Sequence, residues 1–62
     1  MKFLIEERRK ACGMTQDVLA KRSGVCRATI SGLESGRIRS TSTFTLEQIA
    51  LALNVPVRDL IK

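Results

Sequence analysis

The stretch from Thr15 to Gly36, TQDVLAKRSGVCRATISGLESG, constrains the fold most, because two short helical patterns meet there across Ser23-Gly24-Val25. Thr15 can cap the first pattern through its hydroxyl, and Gly24 supplies the backbone freedom that a tight turn needs. Leu19 and Ala20 face inward from the first helix, and Ile30 and Leu33 form the buried stripe of the second. The remaining faces of this two-helix unit are free to touch a partner.

The rest of the chain extends the same helical logic. A first helix is expected from Lys2 to Cys12, stopping at Gly13, with Ile5, Arg9 and Cys12 on its inward stripe. An arginine on a core face is costly unless paired, so Arg9 demands an acidic partner elsewhere. Thr15 opens the second helix, with Met14 and Leu19 placed as a hydrophobic staple, and it ends near Ser23. The third starts with Cys26 in the cap position, a poor capping residue, carries Val25 and Ile30 as its staple, and ends at Ser35 before Gly36. Arg37 to Thr43, RIRSTST, has no period and is expected to be a loop. A capping box from Thr45 to Gln48 and a staple of Phe44 with Ile49 start the fourth helix. There Leu46, Ile49, Ala50 and Leu53 make one stripe, whereas Leu51 points more than a right angle away at ~100° per residue. Asn54 ends this helix, and Pro56 suits the first turn of a last short one bearing Val57, Leu60 and Ile61. No strand-like alternation, repeat or linker is visible, so the expectation is one all-α domain over residues 1–62.

A chain of 62 residues buries only about 60% of its unfolded surface, which leaves a small core and marginal stability. Its formal net charge is +5, with the excess at Arg8, Arg9, Lys10, Lys21, Arg22, Arg27, Arg37 and Arg39. Aromatic anchors for a membrane surface are nearly absent, no run approaches the ~20 apolar residues of a membrane span, and the N-terminus acquires charge too early for a signal peptide. Double-stranded DNA is the leading partner for such a basic chain, with no membrane role expected. There is no His, and the two Cys stand fourteen positions apart, which gives neither metal-ligand spacing nor a required disulfide framework. Both cysteines read as reduced thiols, which suits the cytoplasm. Without a metal cluster or a phosphate-cradling glycine loop, no enzyme, cofactor or small-molecule ligand is expected. Cys26, at a helix start in a basic setting, remains a candidate for oxidation.

Thr15-Gln16, Leu19-Ala20, Gly24-Val25, Ile30-Ser31, Leu33-Glu34 and Gly36, followed by the ending ALALNVPVRDLI, resemble the Cro and phage-repressor type of helix-turn-helix domain, the xenobiotic-response-element (XRE) family. The resemblance covers essentially the whole chain. It implies a five-helix, lambda-repressor-like fold whose third helix lies in the DNA major groove while the second crosses the backbone. On this resemblance Arg27, Ala28, Ser31 and Gly32 occupy base-facing positions. Arg27 can make two hydrogen bonds to guanine, Ala28 can meet a thymine methyl, Ser31 can meet any base, and Gly32 offers only close backbone approach. Gln16, Thr29, Arg37, Arg39 and Ser40 lie where similar proteins touch phosphates, contacts that set register without reading sequence. About five such contacts per subunit imply a log–log salt slope near −4.5. The resemblance also supplies the partner that Arg9 demands, namely Glu34. Two departures stand out: Ser23 replaces a usual apolar core residue, and the loop after Gly36 is longer than in compact phage repressors.

These readings lead to a sequence-specific transcriptional regulator, expected to act as a repressor and to bind as a homodimer to half-sites about one helical turn apart. Leu51, Val57 and Ile61 are the expected dimer interface. The alternative is an antitoxin-like or adaptor module of the same fold, whose chief partner is a protein.

Overall fold

The computed structural model describes residues 3–61. Four α-helices follow one another, α1 (Ile5–Ala11), α2 (Gln16–Ser23), α3 (Arg27–Ser35) and α4 (Thr43–Leu53), and a 3-10 turn spans Val57–Leu60. The all-α class matches the expectation, whereas the expected fifth helix is this single turn. Pro56 precedes it in extended conformation rather than opening it.

The first helix starts later than its periodicity suggests. Lys2 lies outside the described residues, and Phe3 and Leu4 are not helical: the Leu4 amide donates to the Leu60 carbonyl at 2.7 Å, and Phe3 forms an isolated antiparallel bridge with Ile61. Pairing the two ends of the chain is a non-local choice that local spacing does not reveal. At the other end α1 stops at Ala11, so Cys12 is a surface capping residue whose thiol donates to the Leu53 carbonyl at 3.7 Å. The inward stripe is therefore Ile5 and Arg9, without Cys12.

The two-helix unit forms as its caps require. Thr15 Oγ1 accepts the Val18 amide at 3.1 Å, and Gly24 closes α2 in the left-handed region at φ 73°. Ser23 is buried, and its hydroxyl accepts the Val25 amide at 3.2 Å while donating to the Ala20 carbonyl. A hydroxyl thus braces the turn from within, where an apolar side chain would only fill space. Cys26 occupies the cap position of α3 without a side-chain cap bond, and Gly36 ends that helix at φ 84°.

The fourth helix corrects two expectations. Ser42, not Thr45, is its cap: Ser42 Oγ accepts the Thr45 amide at 3.1 Å, which places Thr45 inside the first turn. Phe44 is then the second helical residue and lies on the face opposite Leu46, Ile49 and Leu53, where it is 69% exposed. It makes no staple with Ile49 because a staple needs its first member outside the helix. Leu51 is 74% exposed on that same outer face, as the helical step requires. Asn54 ends the helix in the left-handed region at φ 59°.

Ile5, Leu19, Ile30, Leu33, Ile49 and Leu60 are fully buried, with at least one from every element. Each contributes roughly 1.5–3 kcal/mol of apolar burial, so the core holds α3 by its inner stripe and leaves its outer stripe unused. Among the described residues no helix is long and apolar enough to cross a membrane.

Candidate nucleic-acid interface

Arg9 and Glu34 anchor α3 from inside. Arg9 Nε donates to Glu34 Oε2 at 2.7 Å, Nη2 to Oε1 at 3.1 Å, and Nη1 to the Met14 carbonyl at 2.8 Å. The two side chains are only 10% and 4% exposed. This is a two-pronged guanidinium–carboxylate pair linking α1 to the end of α3, with Met14 tying in the segment before α2. Glu6 adds a longer contact to Arg9 at 3.9 Å. The hydrogen bond to Glu34 and the charges of Glu34 and Glu6 outweigh burial and hold Arg9 protonated above its ordinary range. Burial pushes the Glu34 carboxyl up, but hydrogen bonds from Arg9 and Gln16 and the charges of Arg9 and Lys10 more than offset it. Glu34 is consequently a stronger acid than usual.

From this pair a polar chain runs outward to the start of α3. Gln16 Nε2 donates to Glu34 Oε1 at 2.9 Å, and Gln16 Oε1 faces Arg27 Nε at 3.5 Å. Arg27 Nη1 also pairs with Asp17 at 3.0 Å, while both side chains stay more than 60% exposed. The expected phosphate-facing Gln16 therefore has another task as well: it connects the buried pair to the side chain best suited to read a base. The link to Asp17 joins a charge in the first turn of α2 to one opening α3 across a short turn.

The outward stripe of α3 follows from its buried one. With Ile30 and Leu33 in the core and Glu34 turned to Arg9, the ~100° step leaves Ala28, Ser31 and Ser35 facing away, while Arg27 lies on the flank beside Glu34 as the first residue of the helix. Arg27 and Ala28 are exposed and Ser31 half-buried. Gly32 departs from the expectation of a base-facing backbone, because it is buried beneath the side chain of Ile38. A Cβ at Gly32 would lie 2.5 Å from Ile38 Cδ1 and 3.0 Å from Arg37 Nη2. The loop after Gly36 folds back over the helix, and that return could not be read from its irregular sequence.

Arg39 and Ser40 are exposed on the same loop, and Thr29 is half-buried on α3. Arg37 is also exposed, yet its Nη2 donates to the Ala28 carbonyl at 3.4 Å. Between the second half of α4 and the segment after it, Glu47, Ala50, Leu51, Val55, Pro56 and Val57 line a shallow depression of about 240 Å³. Val57 is half-buried there. Ile61 is half-buried too and is partly engaged by its bridge to Phe3. Phe44, expected to staple onto Ile49, instead joins Leu51 on the outer face of α4; reading Ser42 as the cap places it there. Among the described residues Cys12 and Cys26 are free thiols, and no group of His, Cys, Asp and Glu has the arrangement of a metal site.

Known proteins with this arrangement agree. The helix-turn-helix family model matches residues 5–60. A relative from Methanothermobacter thermautotrophicus, described as an uncharacterized HTH-type transcriptional regulator, is 51% identical over 53 residues, which are 86% of this chain and 75% of the relative. The crystal structure of the restriction-modification controller protein C.AhdI from Aeromonas hydrophila is similar with a TM-score of 0.85 at 33% identity, over 92% of this chain and 85% of that one. Matched by the family model over residues 5–60 and by these relatives over most of its length, the chain belongs to the XRE-type helix-turn-helix family of DNA-binding transcriptional regulators.

Proposed function

We propose that the protein is a sequence-specific repressor that binds DNA as a homodimer, each subunit placing the outward stripe of α3 in the major groove. The observation that carries this reading is the polar chain from Arg9 through Glu34 and Gln16 to Arg27. It locks the inner side of α3 and holds an exposed guanidinium at the helix's leading end, where an arginine can grip guanine O6 and N7 together. Ala28 and Ser31 stand beside it for a thymine methyl and a second base edge. Gln16 with the amides opening α2, and Thr29, Arg39 and Ser40, face the phosphates and set register.

Dimerisation through Leu51 and Val57, with Ile61 at its margin and Phe44 extending the outer face of α4, covers the two most exposed large apolar side chains, Leu51 and Phe44. It also stabilises a small fold by mass action. Two subunits related by a twofold axis read half-sites about 34 Å apart, and a dimer seated there excludes other proteins from the DNA it covers. Repression then requires no catalysis, cofactor or small-molecule ligand. The protein works in the cytoplasm, with DNA as its partner.

Titration of a duplex bearing its preferred site over a series of salt concentrations tests this reading. Affinity is expected to fall steeply as salt rises, with a negative log–log slope set by the number of phosphates that the basic side chains neutralise. A flat response refutes binding in the major groove by this face.

A further inference from the structure

The loop after α3 does something that neither the family assignment nor the contacts above account for. Ser35 Oγ accepts the Arg37 amide at 3.3 Å, and the Ile38 amide donates to the Gly32 carbonyl at 2.9 Å. These two bonds turn the chain back along α3 immediately after Gly36. Ile38 then lies over the bare α-carbon of Gly32, and the Arg37 guanidinium rests 3.0 Å from where a Cβ of Gly32 would stand, with Nη2 donating to the Ala28 carbonyl at 3.4 Å. Ala28 and Gly32 are four residues apart and so share the outward stripe of the helix. The guanidinium thus occupies the place that a long side chain at position 32 would otherwise fill.

We infer that Arg37 is a base-reading residue, a surrogate side chain delivered by the loop to the outward stripe of α3, rather than one more phosphate contact. Gly32 is what admits it, since any Cβ collides with Ile38 and crowds the guanidinium. The inference rests on the proposed placement of α3 in the major groove. There, Arg27 and Arg37 present two planar forks, the first from the start of the helix and the second from the loop over Ala28 and Gly32. A fork suits guanine, whose O6 and N7 accept two parallel hydrogen bonds. Arg27 is held by Asp17, whereas the exposed Arg37 guanidinium makes one long bond, to the Ala28 carbonyl, among the described residues, so its other donors are available to DNA.

The test uses the full chain and a panel of duplexes, each carrying one base-pair change in the site that the wild-type protein selects from a random pool. Arg37→Lys keeps the charge and loses the fork, and Arg37→Ala removes both. For both variants, discrimination is expected to collapse by roughly 5- to 150-fold at one G·C pair per half-site, with preferences elsewhere unchanged. Arg37→Lys is further expected to keep the wild-type salt slope. Uniform weakening across the panel, with a slope about one unit shallower for Arg37→Ala and near-normal binding for Arg37→Lys, overturns the inference and returns Arg37 to the phosphates. Wild-type panel profiles in both variants also overturn it. If the wild-type protein selects no site at all, it is the major-groove reading itself that fails, and the inference falls with it.

Discussion

Truncating Arg9 is the sharpest test of how α3 is held. Arg9→Ala removes three hydrogen bonds, two to Glu34 and one to the Met14 carbonyl, and leaves the 4%-exposed Glu34 side chain with Gln16 as its remaining hydrogen-bond partner among the described residues. Removing one partner of a buried ion pair costs about 3–5 kcal/mol, because the remaining charge stays out of water without compensation. Against the ~0.05–0.15 kcal/mol per residue of ordinary domains, a chain of this size has about 3–9 kcal/mol in total. The loss is therefore comparable with the whole stability. At roughly 4–8 °C per kcal/mol for a domain this small, Tm should drop by at least about 12 °C. Urea and thermal unfolding followed by far-ultraviolet circular dichroism measure it. The double variant Arg9→Met with Glu34→Leu removes both charges and should recover most of the deficit, since a buried pair is worth little more than apolar residues of similar volume. A loss below about 1 kcal/mol in Arg9→Ala is what an exposed pair would give, and that result refutes the anchoring role.

The same pair sets a pH dependence. Because the folded-state pKa of Glu34 lies below its ordinary value, its contribution is present above the unfolded carboxylate range, about pH 4.3, and is lost as pH falls through the folded value. Acid unfolding should be steeper in the wild type than in Glu34→Gln, and parallel curves contradict the shift. Ser42→Ala should cost about 1 kcal/mol through loss of the α4 cap, measured by urea unfolding, and should cost more than Thr45→Val if Ser42 is the residue that starts the helix. Leu51→Glu leaves the fold intact and should yield monomers by sedimentation equilibrium where the wild type dimerises. Unchanged association in that variant places the interface elsewhere.

Local chemistry revealed most of this fold and part of its site. Thr15, Gly24 and Gly36 mark helix ends because hydroxyl capping and left-handed backbone depend on nearest neighbours, and Leu19, Ile30 and Leu33 are buried because helical spacing puts them on one side. Arg9 and Glu34 meet as the isolated arginine on an apolar stripe requires. What escaped were non-local choices and competing signals. Phe3 and Leu4 leave the first helix to pair with Ile61 and Leu60, partners more than fifty residues away in sequence. Ser42 and Thr45 are both good caps three positions apart, and local sequence does not distinguish the first, which puts Phe44 on the outer face, from the second, which makes it a staple. Gly32 looked like an open backbone on the reading face, but Ile38 returns to cover it, and no periodicity in RIRSTST announces that return.

Selection of bound duplexes from a random pool at two salt concentrations tests most directly whether the outward stripe of α3 reads DNA. The expected result is a palindromic consensus with half-sites one helical turn apart and a G·C preference in each half. Its enrichment should survive at the lower salt and weaken steeply at the higher one. Bound sequences without a consensus, retained equally at both salt concentrations, would contradict it.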